Sequence, residues 1–213
     1  MQLWSVLLLS LQVTGVAVLA SSVIGIPLGL CLGLSRFRGK WLASATIHTG
    51  MALPPVVVGL LLYLMLSRSG PLAVLDWLFT PQAMILAQTI LTLPFVIGIT
   101  MSSVQAIPTE LSDQIKSLGA SDWQCRWSVL REARQGILLA IAAGFGRSIS
   151  EVGAVLMVGG NIQGHTQVLT TAIVLETGKG NFDVALTLGL ALLGIALLVN
   201  VLILRLHGGM ALA

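Results

Sequence analysis

Along the chain, charged residues occur in a few clusters separated by long uncharged runs. No Asp, Glu, Lys or Arg lies between Met1 and Ser35, Trp41 and Ser67, Trp77 and Thr109, or Val184 and Leu204. Each run is long enough to cross a bilayer as a helix, which takes about 20 apolar residues. A further stretch, Gln135 to Val158, is apolar except for Arg147 and Glu151. The pattern predicts an all-α integral membrane protein in a single transmembrane domain over 1–213. It has about five transmembrane helices, near 5–34, 46–66, 83–106, 136–158 and 183–204. The first run is not read as a secretory signal, because no basic residue precedes it and it is far longer than a signal core of roughly 7–15 residues.

Glycines and prolines punctuate these spans. Gly25, Gly29 and Gly33 recur every four residues, a spacing that lets a neighbouring helix approach closely in lipid. Pro27 should kink the first span, and Leu53-Pro54-Pro55 should break or bend the second near its start. Pro94 is expected to act similarly in the third. Broken helices at membrane depth face protein or a water-filled cavity, so the proline pair hints at a transport pathway. Between the fourth and fifth spans, Gly159-Gly160-Asn161 and Gly178-Lys179-Gly180-Asn181 bracket a loop. Its apolar positions Val168, Leu169, Ala172, Ile173 and Leu175 predict a short helix lying at the outer surface. No internal repeat is evident, so a complete pore calls for a second copy of the chain.

Composition supports the membrane reading. The 213 residues are 56% hydrophobic and 9% charged, against about a quarter charged in soluble domains. Arg36, Arg38, Lys40, Lys116, Arg126, Arg131, Arg134 and Arg205 fall on one side of the alternating topology, and only Arg68 and Lys179 on the other. That bias places the amino terminus outside and the carboxyl terminus in the cytoplasm. The net charge of +3 follows from this topology and carries no signal for nucleic-acid binding. Cys31 and Cys125 fall where a disulfide is disfavoured, and no metal-ligand spacing exists. His48 and His207 are expected at the interface, and His165 in a solvated loop. No serine has an oriented base, so no catalytic residue is assigned.

The segment Pro108–Arg134 is long for an inner loop. Thr109, followed by Asp113, starts a helix after Pro108, with Leu111, Ile115 and Leu118 at helical spacing. Gly119 stops that helix, and Ala120-Ser121-Asp122 caps a second one carrying Trp123, Trp127 and Leu130. The result is a helix–turn–helix knob with an exposed apolar stripe, suited to a groove on a partner. This segment resembles the coupling loop of ABC importer permeases: Glu-Ala-Ala, three residues, Gly, nine residues, then Ile-x-Leu-Pro. The matching positions are Asp113-Gln114-Ile115, Gly119 and Val129-Leu130-Arg131-Glu132. Leu118-Gly119-Ala120-Ser121 and the spacing to Val129 fit. The Glu-Ala-Ala opening and the terminal Leu-Pro are absent.

Within that superfamily the chain is most similar to the tungstate-importer permeases. The likeness lies in Val129-Leu130-Arg131-Glu132-Ala133-Arg134, Gly146-Arg147-Ser148-Ile149-Ser150-Glu151-Val152-Gly153-Ala154, Met157-Val158-Gly159-Gly160-Asn161-Ile162 and Leu175-Glu176-Thr177-Gly178-Lys179-Gly180. The resemblance implies a type I ABC importer permease fold in a bacterial inner (plasma) membrane. It implies a homodimer, a cytoplasmic ABC ATPase dimer docked on Asp113, Ile115, Leu118, Gly119, Ala120, Trp123 and Val129, and an extracytoplasmic oxyanion-binding protein. The chain has no phosphate loop of its own, so ATP and Mg belong to the partner and the permease is not an enzyme. The resemblance alone picks tungstate; molybdate and sulfate are the alternatives, since the tetrahedral dianions are not separated by anything in the spans.

Arg147 and Glu151 lie four apart and should share one face of the fourth helix. Two readings stay open. Arg147, Ser148, Ser150, Glu151 and Gly153 line the pathway or gate, or Arg147 and Glu151 are a self-neutralising pair inside the membrane. A stand-alone carrier or an intramembrane enzyme is disfavoured. The first would place acids in several spans, where only Glu151 qualifies, and neither explains the knob.

Overall fold

The computed structural model describes residues 3–35 and 37–211, without the side chains of Thr109, Ser112, Leu204 and 206–211. Arg36 and the side chain of His207 therefore lie outside the described residues. The helices are α1 (Leu3–Leu34), α2 (Lys40–Met51), α3 (Pro55–Leu66), α4 (Pro81–Gln105), α5 (Thr109–Ser117), α6 (Asp122–Glu132), α7 (Arg134–Ile149), α8 (Gly153–Gly159), α9 (Leu169–Gly178) and α10 (Phe182–Ala211). A 3₁₀ turn spans Ala73–Leu75. Helices α1, α4 and α10 are each long and apolar enough to cross a membrane; α2 with α3 and α7 with α8 bring the spans to five if each bent pair is one crossing.

The second and fourth spans are therefore not single helices. Between α2 and α3 the axis turns by 91°. Pro54 is extended, and Pro55 occupies the first turn of α3, where its missing N–H costs nothing. The axis turns by 57° between α7 and α8, at a place with no proline. Pro27 and Pro94, by contrast, sit inside continuous helices.

Helix α4 is central, packing against α1, α2, α3, α7 and α8. The glycine ridge of α1 packs closely against it: Gly25 faces Val96, Gly29 faces Ile97 and Thr100, and Gly33 faces Val104. A Cβ on Gly29 would lie 2.7 Å from the Thr100 Cβ and 2.8 Å from the Ile97 carbonyl oxygen. The ridge is thus an internal packing seam. Around it, Val13, Val58, Leu62, Met84, Leu91 and Val155 form the main buried cluster. Helix α10 covers one side and turns Leu186, Leu190, Leu193 and Leu197 outward, as a lipid-facing surface requires.

Helix α9 does not lie on the surface as the sequence suggests. The chain after α8 doubles back along it. Thr166 Oγ1 donates to the Gly159 carbonyl at one end of α8, and Thr170 Oγ1 reaches the Glu151 carbonyl, 2.9 Å away, at the other. The Leu169 N–H then donates to Ser10 Oγ of α1 at 2.8 Å. Leu169 and Ala172 pack with Val6 and Leu188, so α9 is wedged between α1 and α10. Its apolar face found helices to bury against, which is a stronger attraction than an interface.

Candidate functional site: a rigid knob and two abutting helix breaks

The knob is built from α5 and α6, and local chemistry fixes its shape. Gly119 adopts φ +85°, a conformation glycine accepts without a Cβ penalty. Its N–H donates to the Lys116 carbonyl and that of Ala120 to the Ile115 carbonyl, the paired bonds of a Schellman stop. Ser121 starts α6 with a full capping box: the Gln124 N–H donates to Ser121 Oγ, and the Ser121 N–H to Gln124 Oε1. Lys116 bridges to Asp122 at 2.9 Å across the turn. The hydrogen bond and charge of Lys116 hold the Asp122 carboxyl below its usual range, and Asp122 in turn raises Lys116.

This geometry sorts the predicted coupling residues. Leu118 is 87% exposed and Trp123 73% exposed, flanking the Gly119 turn at the tip; Trp127 is also exposed, under the Arg131 guanidinium. Ile115 and Ala120 are half-buried and Asp113 is exposed. Val129 differs from expectation. It is 1% exposed and packs against Val104 and Ala133, so it anchors the knob instead of presenting a contact. Behind the knob, a cavity of about 850 Å³ opens between α1, α4 and α6, lined by Cys31, Lys40, Asp113, Cys125 and Arg126 among others. Neither cysteine is in a disulfide.

Deep in the bundle the two breaks abut. A Cβ on Gly153 would meet Val56 Cγ2 at 3.0 Å, and one on Gly59 would meet the Ala154 Cα at 2.8 Å. A Cβ on Gly50, near the end of α2, would likewise stand 2.9 Å from Pro94 Cγ of α4. Arg147 Nη1 donates to Glu151 Oε2 at 2.8 Å, and its guanidinium stands 5.8 Å over the Phe95 ring. The two residues pair, though not along one helix face: α7 ends at Ile149, and Glu151 lies in the break. From there its Oε1 accepts the Ala154 N–H at 3.1 Å, tying down the start of α8. Glu151 is 3% exposed, whereas the Arg147 side chain is 24% exposed.

The remaining pathway candidates separate as well. Ser148 is buried and donates to Gln88 Oε1 at 2.9 Å, while Gln88 Nε2 donates to the Ser148 carbonyl at 3.1 Å. It clamps α7 to α4 and does not line an open surface. Ser150 is exposed, but its hydroxyl is turned back to the Gly146 carbonyl at 2.8 Å. Gly153 is the contact point between the breaks. Sequence reasoning missed Gln88; its signal was an amide well inside an apolar run, away from either end, which needs a partner in lipid.

Residues 25–210 match the model of the family described as binding-protein-dependent transport system inner membrane component. The chain belongs to this family. It is a multi-pass inner-membrane ABC importer permease. It is 46% identical to the probable anion ABC transporter permease of Haloferax volcanii, covering 93% of this chain and 88% of that one. It is 40% identical to the tungstate uptake system permease TupB of Peptoclostridium acidaminophilum, covering 95% and 89%. With the molybdenum transport system permease ModB of Escherichia coli K12 it shares 30%, over 92% and 91%. A chain of the inward-facing MetNI methionine ABC transporter superposes with a TM-score of 0.79 at 22% identity, over 96% of this chain and 92% of that one; this supports the fold alone.

The permease has one more polar cluster, at the turn between α9 and α10. Glu176 Oε1 accepts from Lys179 Nζ and Oε2 from Asn181 Nδ2, both at 2.8 Å. These bonds, Lys179 first, hold the Glu176 carboxyl below its usual range. Gly180, at φ +78°, makes the turn possible. Among the described residues no group of three or more His, Cys, Asp or Glu could hold a metal.

Proposed function

We propose that the permease imports a tetrahedral oxyanion, tungstate in the first place, with the knob facing the cytoplasm, the amino terminus outside and the carboxyl terminus inside. Two copies form the pathway. A separate ATPase pair holding ATP and Mg seats under Leu118 and Trp123, and an extracytoplasmic binding protein delivers the anion. The permease itself carries out no ATP chemistry and holds no cofactor.

The observation that carries this reading is the continuity of the machinery. Helix α6 ends at Glu132 and α7 begins at Arg134, with only the buried Ala133 between them. This one-residue link supports the reading that the exposed knob passes its displacement to the helix that ends in the Arg147–Glu151 break. Displacement of a stiff, doubly capped knob by a closing ATPase pair moves the base of α7 directly, biasing a two-state gate. Tungstate is favoured by the 40% identity to a tungstate uptake permease. Molybdate is the alternative, favoured by the 30% identity to a molybdenum permease.

The test is ATP hydrolysis by the complete complex in lipid vesicles, with ATPase and binding protein present. Stimulation by tungstate above molybdate is expected, and it should be lost on Gly119→Asp, which forces a side chain into φ +85°. Stimulation by molybdate alone would overturn the substrate, and an undiminished Gly119→Asp complex would overturn the docking site.

A further inference from the structure

The Arg147–Glu151 pair is unevenly built. Glu151 is buried and held by two donors, Arg147 Nη1 and the Ala154 N–H. Arg147 is a quarter exposed, and of the five N–H donors of a guanidinium one is engaged by Glu151. Its neighbour on the other side is the Phe95 ring, which attracts a cation without competing for those donors. Phe95 follows Pro94, which packs against Gly50 of α2, and that helix has no buried residue. Uncovered polar groups in a membrane-spanning pair belong to a water-filled pathway or a protein contact, not to lipid.

We propose that Arg147 is a transient contact for the translocated oxyanion and that Glu151 is its resident counter-anion, which yields Arg147 to the passing dianion and takes it back. The inference rests on the oxyanion-import reading. Its logic is electrostatic. A lone guanidinium at membrane depth would hold a dianion too firmly to release it, and conduction needs sites weak enough to leave. Glu151 weakens the site in two ways: it occupies Arg147 when the pathway is empty, and it repels the anion once bound. The Ala154 N–H makes the exchange feasible, because Glu151 keeps one donor after Arg147 turns away and is not left as an unpaired buried charge. The site stands at the junction of α7 and α8, at the end of the helix the knob continues into, so a shift of α7 changes the reach of Arg147.

The test uses the complete complex in proteoliposomes, measuring tungstate uptake and assembly with the ATPase. Arg147→Gln/Glu151→Gln keeps a neutral, hydrogen-bonding pair of similar shape. Assembly with the ATPase, measured by titration onto the variant permease, should remain within about two-fold of the unmodified protein while uptake per assembled complex falls at least ten-fold. Uptake within two-fold of the unmodified complex overturns the proposal, because a structural pair tolerates neutral replacement. Glu151→Gln alone is the second arm and leaves the guanidinium unmasked. Tungstate added on the ATPase side should then bind to the complex at a concentration at least ten-fold lower than to the unmodified one; unchanged binding overturns the proposal. Should the unmodified complex prove driven by another oxyanion, the substrate reading fails and both variants are scored with that anion.

Discussion

Replacing Gly29 by alanine adds one methyl group in the middle of the tight α1–α4 seam. In an ordinary helix the change is favourable by about 1 kcal/mol, because alanine loses less backbone entropy than glycine. Here the new carbon would stand 2.7 Å from the Thr100 Cβ and 2.8 Å from the Ile97 carbonyl oxygen. Carbon atoms settle at about 3.5–4.0 Å, so α4 must retreat by roughly 1 Å. Neither obstacle is a flexible side-chain tip. The retreat also loosens the flanking contacts of Gly25 with Val96 and of Gly33 with Val104. Overpacking of this kind costs about 1–3 kcal/mol, which offsets the propensity gain and leaves a net loss of about 0–2 kcal/mol. At about 2–4 °C per kcal/mol for a chain of this size, the melting temperature should fall by up to roughly 8 °C. Gly189→Ala in α10 is the matched control, since nothing stands within 4 Å of its Cβ, and it should raise the melting temperature by about 2–4 °C. Thermal unfolding of both variants in nanodiscs, followed by tryptophan fluorescence, decides the matter. Equal stabilisation of the two would refute close helix contact at Gly29.

Trp123→Ala removes an exposed aromatic anchor and should weaken ATPase binding by about 2 kcal/mol, roughly 30-fold, with the melting temperature of the free permease unchanged; titration of the ATPase onto nanodisc-held permease measures both. Ser148→Ala strands Gln88 Oε1 and should cost about 1 kcal/mol of stability. Transport per assembled complex should stay intact, and a transport defect without a stability loss would return Ser148 to the pathway. The Lys116–Asp122 bridge has a defined pH window. Asp122 is held below its usual 3.8, so its contribution is present above that value and lost as pH falls through the lowered one; Lys116 is raised above 10.5, so its contribution is present below that value and lost as pH rises through the raised one. The excess proteolysis of Asp122→Asn at the knob turn, relative to the unmodified chain, should therefore be equal at pH 5.5 and pH 8.5. A difference between the two would refute the assignment.

What was legible in the sequence was what local chemistry decides. Long uncharged runs mark the spans because lipid admits little else. The knob was readable because Pro108, Gly119 and Ser121 each act on their own backbone neighbours. The docking of α9 and the inward turn of Val129 and Ser148 were not readable, since each depends on which distant helix arrives alongside. Prolines were an uneven guide. Pro54-Pro55 breaks a span, whereas Pro27 and Pro94 are carried within intact helices, whose neighbours can satisfy the freed carbonyls.

The two breaks differ in cause, and the difference bears on how the permease works. The α2–α3 break is written into the covalent chain: Pro54 and Pro55 exclude the helical hydrogen bonds there in every conformation. The α7–α8 break has no such compulsion. It exists because the Glu151 carbonyl accepts from Thr170, its carboxylate holds the Ala154 N–H, and its other oxygen holds Arg147. Each of these bonds can be exchanged, and all meet on one residue at the end of the helix the knob continues into. A fixed corner packed against a corner made of exchangeable contacts gives a joint with one rigid side. The side made of exchangeable contacts carries the charged pair, so under the proposed gating a shift of α7 would change the reach of Arg147 as well.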